Sequence, residues 1–252
     1  MKAMIFAAGL GTRLKPITDT LPKALVPVCG EPLLAHVITG LAAAGIDDFV
    51  VNVHHFADKI VSYLESNVFG VKVAVSDESD RLLETGGGIL HAREPLLRGE
   101  PADGRFLVHN VDIVSDLDVR GFLDAWRPDA LAVLLVSPRK TNRYLLFDGD
   151  MRLVGWTNLA TGEVRSPYPG LDPASCNMLA FSGIHQLSNR VFGVMEDEGM
   201  GERFPIMDFY LKVCDRFPVC GYRPSSLNLI DVGKLDTLAA AEDFILSLRR
   251  KG

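Results

Sequence analysis

Short, mostly apolar runs alternate with segments of helical period through the first half of this chain. That alternation restricts the fold more than any other feature. Ala3-Met4-Ile5-Phe6-Ala7 stops at Gly9, and Phe49 to Val53, Val71 to Val75, Phe106 to His109 and Leu131 to Val136 follow at intervals. Runs this short and apolar read as strands covered on both faces, as in parallel sheets. Between them, Leu33, Leu34, Val37, Ile38 and Leu41 recur at helical spacing between Pro32 and Gly45. Ile60, Val61 and Leu64 suggest a second helix, a third is expected from near Gly86 to just before Pro95, and a fourth over Leu117 to Trp126.

Strand and helix in this order imply right-handed crossovers. The expected fold class is α/β, a mostly parallel Rossmann-like sheet with helices on both faces. The pattern changes after residue 136. From Arg143 to about Ile184 there are short strand-like pieces and turn residues, read as a small β-rich substrate lobe with a surface loop near residues 161–175. Helical patterning returns at Phe204–Asp215 and Leu235–Leu248, before the basic end Arg249-Arg250-Lys251. A single domain over residues 1–252 is expected, in halves 1–136 and 137–252.

The net charge of −6 gives no general attraction to nucleic acid or an anionic membrane, so neither is expected as a partner. No apolar run reaches the roughly 18 residues that would cross a bilayer. A strand beginning at Lys2 leaves no room for a signal peptide, so a cytoplasmic location is expected. The four cysteines contain no C-x-x-C pair, which argues against a zinc ribbon, and a disulfide framework does not suit a chain so poor in cysteine.

The sharpest local feature is Ala8-Gly9-Leu10-Gly11-Thr12-Arg13, at the carboxyl end of the first strand. Ligands of open α/β sheets bind in that crevice. Glycines let the backbone approach a phosphate, with N–H groups as donors, and Arg13 adds a planar cationic fork. The dinucleotide fingerprint is excluded because Leu14 stands where its third glycine belongs, and the Walker A loop because Thr12 follows Gly11. Lys23, alone in the run Pro22-Lys23-Ala24-Leu25-Val26-Pro27, is oddly placed for a solvated charge and better placed beside a phosphate.

Gly9 to Thr18 followed by Pro22 to Pro27 resembles the signature of the sugar-phosphate nucleotidylyltransferases. Length and the segment Leu83 to Ile89 look most like the N-acetylmuramate-1-phosphate uridylyltransferases within that family, with mannose- and heptose-1-phosphate guanylyltransferases as competitors. The resemblance implies the nucleotide-diphospho-sugar transferase fold. It implies a Mg²⁺ cofactor, an NTP and a sugar-1-phosphate as partners, and transfer of NMP with release of pyrophosphate. The first half would then bind the nucleotide, and the second would bind the sugar and supply a second metal ligand. Arg13 and Lys23 would be catalytic, with Ala8 to Thr12 cradling the triphosphate.

Asp112 and Asp231 each follow an apolar strand, and the resemblance assigns both to the metal. Asn110-Val111-Asp112 departs from the family pattern, which has glycine where Val111 stands. Nearby Asp116 and Asp118 read as caps of the next helix. Glu84-Thr85-Gly86-Gly87-Gly88 is a second glycine cluster, read as a flat surface for the base, with Glu84, Gly86, Gly87 and Gly88 in the nucleotide site. It does not separate uracil from guanine. For the sugar, Asn110, Arg143, Gly155 and Gly183 are the candidates, and Arg139, Lys140 and Arg143 form a local basic group that suits either a sugar phosphate or solvent. A rival reading is a non-catalytic nucleotide-sugar sensor on the same fold, which would carry a degenerate site.

Overall fold

Alternation of side chains along β1 (Lys2–Phe6) sends Ala3 and Ile5 to one face and Met4 to the other, all fully buried. The computed structural model describes residues 1–250, so Lys251 lies outside the described residues. After a small hairpin of β2 (Pro27–Val28) and β3 (Glu31–Pro32) come α1 (Leu33–Ala43), β4 (Asp48–Val53), α2 (Ala57–Ser66) and β5 (Lys72–Asp77). Then follow α3 (Glu84–His91), α4 (Arg93–Leu97), β6 (Arg105–Asn110), β7 (Ile113–Ser115), α5 (Val119–Asp124) and β8 (Ala132–Ser137). The lobe contributes β9 (Arg143–Phe147), β10 (Leu153–Asn158), β11 (Glu163–Arg165) and the start of β12 (Asn177–Ser188). The chain ends with α6 (Val191–Asp197), α7 (Ile206–Val213), β13 (Val219–Tyr222), β14 (Leu229–Asp231) and α8 (Leu235–Arg249).

The expected parallel core forms as β6-β1-β4-β5. The strand expected over 131–136, now β8, does not join β6 directly. β12 lies between them, antiparallel to both, and β13 pairs in parallel with β8. Six strands therefore point one way around a single reversed one, with helices on both faces. One core cluster lies under α1, α5 and α8, the other under α3, α4, α6 and α7.

β12 belongs to both parts of the molecule. Asn177–Leu179 pairs with β9 of the lobe, and Ile184–Ser188 pairs with β6, with a register shift between Phe181 and His185.

Four expectations need correction. The helix expected to stop before Pro95 ends at His91, and Pro95 sits inside α4. As the third residue of that helix, Pro95 loses an N–H that has no intrahelical acceptor anyway. The loop near 161–175 contains β11 and a 3₁₀ turn at Pro173–Ser175. Asp118 does cap α5, accepting from the Gly121 N–H at 3.0 Å, but Asp116 binds Asn228 instead. The strand expected before Asp231 forms as β14, but β7, its pairing with β14, α6 and β13 are not in the sequence expectation.

Candidate active site

The carboxyl ends of β1, β4, β5 and β6 open onto one rim. A cavity of about 440 Å³ there is lined by Ala8, Gly9, Lys23, Glu84, Asn110 and Asp112, among others. Among the described residues, the N–H groups of Gly9, Leu10 and Gly11 have no backbone partner. Gly11 holds φ +63°, and an added Cβ there would stand 2.9 Å from Thr18 and 3.1 Å from the Lys23 Cβ. Its carbonyl accepts from the Thr18 hydroxyl at 2.8 Å. The loop thus wraps against the Lys23 segment and leaves these three backbone donors unpaired.

Lys23 opens a 3₁₀ turn and its side chain is only 11% exposed. Its ammonium donates to Asp112 Oδ2. The Val232 N–H donates to the Asp112 carbonyl at 2.8 Å, bringing the end of β14 alongside. A Cβ on Gly233 would stand 2.7 Å from an Arg13 Nη and 2.7 Å from Asp231 Oδ1, so guanidinium and carboxylate flank the same glycine. Crowding by protein pushes the Asp231 carboxyl above its ordinary range, and the Asp112 charge adds to this. Lys23, Arg13 and Arg139 pull it down. Arg139 reaches the same region from the lobe side, donating to the Phe181 carbonyl at 3.1 Å. Arg13, Lys23, Asp112 and Asp231, far apart in sequence, form one electrostatic group.

Three glycines of α3 have a packing reason. The Gly86 and Gly87 N–H groups both donate to the Phe204 carbonyl, at 2.8 and 3.1 Å, and are not free to read a base. An added Cβ would stand 2.2 Å from the Phe204 ring at Gly86, 2.2 Å from the Glu202 carbonyl oxygen at Gly87, and 2.7 Å from Glu78 Oε1 at Gly88. The glycines let residues 202–205 lie against α3, which sets Pro205 at the cavity wall. Gly87→Ala gains about 1 kcal/mol of helix propensity but meets a rigid carbonyl, an overpacking cost of up to about 3 kcal/mol. The clash wins, and thermal unfolding should shift down by roughly 4–8 °C. A variant melting like the parent would show that residues 202–205 yield freely.

Residues 2–144 match the nucleotidyl transferase family. The chain belongs to the nucleotidyl transferases. It is 33% identical over 95% of its length, and 95% of the relative's, to N-acetylmuramate alpha-1-phosphate uridylyltransferase of Caulobacter vibrioides. A protein of the same name from Neisseria meningitidis is 44% identical over 47% of this chain and 49% of its own. The crystal structure of HddC from Yersinia pseudotuberculosis complexed with GMP-PN shares the fold, with TM-score 0.72 and 22% identity over 97% of this chain and 99% of the other.

This nucleotidyl transferase is a sugar-1-phosphate enzyme by family. Not every expected residue lies at the cavity. Gly183 holds φ +76° in the irregular stretch of β12, where an added Cβ would stand 2.9 Å from Asn110 Nδ2. Arg143 and Gly155 instead lie on β9 and β10, outside the cavity lining, and Gly155 packs under Leu171 and Arg165. Two residues that hold the rim were missed. Buried Asn52 accepts from the Ala7 N–H at 2.8 Å and donates to Glu78 Oε1 at 2.8 Å. Burial raises the Glu78 carboxyl, against hydrogen bonds from Asn52 and Leu83 that lower it. The one available signal was a lone amide in the apolar run Phe49 to Val53.

Among the described residues, no helix is long and apolar enough to cross a membrane.

Proposed function

We propose that this chain transfers a uridylyl group from UTP to N-acetylmuramate-1-phosphate, or a closely related sugar-1-phosphate, with magnesium, and releases pyrophosphate. The observation that carries the chemistry is the Lys23–Asp112 ion pair beside Asp231 and Arg13 at the rim. The likeness over 95% of both chains to the Caulobacter uridylyltransferase supports the choice of base and sugar.

An oxygen of the sugar phosphate attacks the α-phosphorus in line, and the bond to the bridging oxygen of the leaving pyrophosphate breaks. The nucleophile is already an anion, so no base is needed, and the barrier is repulsion between negative groups. The loop at residues 8–12, with its unpaired N–H groups at Gly9, Leu10 and Gly11, holds the triphosphate. Arg13 faces the β- and γ-phosphates as charge builds on the leaving group. The Lys23 ammonium has three donors, and Asp112 takes one, which leaves two for phosphate oxygens.

Asp112 and Asp231 fit a magnesium ion. Both offer oxygen, and their mutual repulsion is what a divalent cation relieves. Among the described residues, no group of three or more His, Cys, Asp or Glu gathers there. The other ligand positions would fall to phosphate oxygens and water, the set magnesium prefers. When bound, the ion would neutralise charge between the two phosphate groups. In this reading residues 1–136 bind the nucleotide, while residues 137–252 bind the sugar and supply Asp231.

On the sugar side, Asn110 lines one wall with Gly183 packed against it, and Arg139 is better placed than Arg143 to meet the sugar phosphate. Arg139→Ala should raise the KM for the sugar phosphate about tenfold, the scale of one hydrogen bond to a charged group, while the KM for UTP stays unchanged. Equal rises in both would move Arg139 to the nucleotide.

Pyrophosphate release should be measured for four nucleoside triphosphates against a panel of sugar-1-phosphates. UTP with the muramate sugar is expected to lead in kcat/KM by about tenfold or more. A lead for GTP with mannose-1-phosphate would overturn the uridylyl assignment and leave the family chemistry standing.

A further inference from the structure

Asp112 and Asp231 sit at one end of a small ladder, and the other end is tied by a pair with no assigned role. β7 and β14 form a separate two-stranded antiparallel sheet, with Ile113 opposite Asp231, Val114 opposite Ile230 and Ser115 opposite Leu229. The Asp112 side is anchored in the central sheet, since the Val111 N–H donates to the Phe6 carbonyl at 3.2 Å. β14 pairs with no strand of the central sheet: its strand partner among the described residues is β7, and just beyond it the Val232 N–H donates to the Asp112 carbonyl at 2.8 Å. The position of Asp231 therefore depends on that one flanking bond and a ladder of three residue pairs, a length that is marginal alone. A slip of one residue would turn its carboxylate to the opposite face.

At the far end the Asp116 N–H donates to the Asn228 carbonyl at 3.2 Å. The Asn228 N–H donates to Asp116 Oδ1 at 2.7 Å, and Asn228 Nδ2 donates to Asp116 Oδ2 at 2.7 Å. Both oxygens of the carboxylate are engaged, each by a charge-assisted bond. Asp118, not Asp116, caps the following helix, so helix capping does not explain Asp116. The contact closes the ladder and fixes which residue of β14 faces which of β7.

We infer that Asp116 and Asn228 are positioning residues, a clamp that holds β14 in register and so sets Asp231 against Asp112 for a divalent cation. The inference rests on the magnesium reading above. Neither residue touches substrate in this scheme; both act through Asp231.

The test uses the full chain, Mn²⁺ as the metal probe and saturating α,β-methylene-UTP, with free Mn²⁺ followed by its paramagnetic resonance signal. Asn228→Asp sets two carboxylates face to face and should weaken Mn²⁺ binding about tenfold, the low end for outer partners of metal ligands. The double swap, Asp116→Asn with Asn228→Asp, restores a donor opposite a carboxylate and should restore Mn²⁺ binding. Asn228→Ser removes only the side-chain bond and should cost a few-fold, which keeps the test open if Asn228→Asp does not fold. Unfolding temperatures in EDTA should match the parent for the swap and the serine variant. Parent-like Mn²⁺ binding in a folded Asn228→Asp or Asn228→Ser protein would overturn the clamp, as would a folded double swap that fails to recover. A parent protein that takes up neither Mn²⁺ nor the analogue would bring down the magnesium reading and the clamp with it.

Discussion

Lys23→Ala is expected to lower kcat for nucleotidyl transfer by about 100- to 1,000-fold, the cost of removing one preorganised donor from a developing anion. The ammonium is nearly buried and held by Asp112, so it needs little reorganisation as charge moves. KM for the nucleotide should change far less, because in the proposed scheme the unpaired loop donors and Arg13 would still bind the triphosphate. The substitution also leaves Asp112 facing Asp231 without its cation. Magnesium should then raise the unfolding temperature of Lys23→Ala by more than it raises the parent's. Turnover within a factor of a few of the parent, in a folded variant, would remove Lys23 from the mechanism. Stabilisation by magnesium equal to the parent's would separate the two carboxylates electrostatically.

The second large effect concerns acid. His109 and His185 are buried in the central sheet, and desolvation depresses them to about 4 and about 3. The His185 Nδ1 meets the Tyr210 hydroxyl at 2.6 Å, and the His109 Nδ1 meets the Asn110 carbonyl at 2.8 Å. Unfolded, both would titrate near 6.5. Below that pH the unfolded chain takes up protons that the folded chain refuses, so stability is complete above about 6.5 and falls as pH drops toward 4. Each histidine contributes up to about 1.4 kcal/mol per pH unit in that window. Two of them over the roughly 1.5 units between 6.5 and 5 amount to about 4 kcal/mol, a large share of the stability of many domains. Urea midpoints should therefore drop sharply between pH 7 and pH 5. His185→Gln keeps a partner for Tyr210 and should remove about half of that slope. A midpoint indifferent to pH over this range would mean that neither histidine stays neutral inside the fold.

The parts legible in the sequence were those written in local pattern. β1, β4, β6 and β8 each showed as an apolar run, and the loop at Gly9–Arg13 showed by composition and position. Lys23 was readable because a charge among prolines and apolar residues lacks a local reason. What stayed hidden depended on partners distant in the chain. Ile113-Val114-Ser115 is too short to show a period, and its partner strand lies more than a hundred residues on. The α3 glycines were visible, but the carbonyls of Glu202 and Phe204 that require them were not. Asp116 looked like a cap because caps are local, whereas its bonds to Asn228 are not. The insertion of β12 between β6 and β8 likewise rests on pairings between strands distant in the chain, which no run of residues announces.

The twelve residues of β12 run without a break from the lobe into the central sheet. Lobe and sheet thus share a beam rather than a hinge of free loop. Any tilt of the lobe over a substrate must twist that beam at its irregular stretch, between Phe181 and His185. Gly183 lies there against Asn110, and the Phe181 carbonyl holds Arg139. Gly183 and the Phe181 carbonyl would then move in step with the lobe, while the loop at residues 9–11 stays with the sheet.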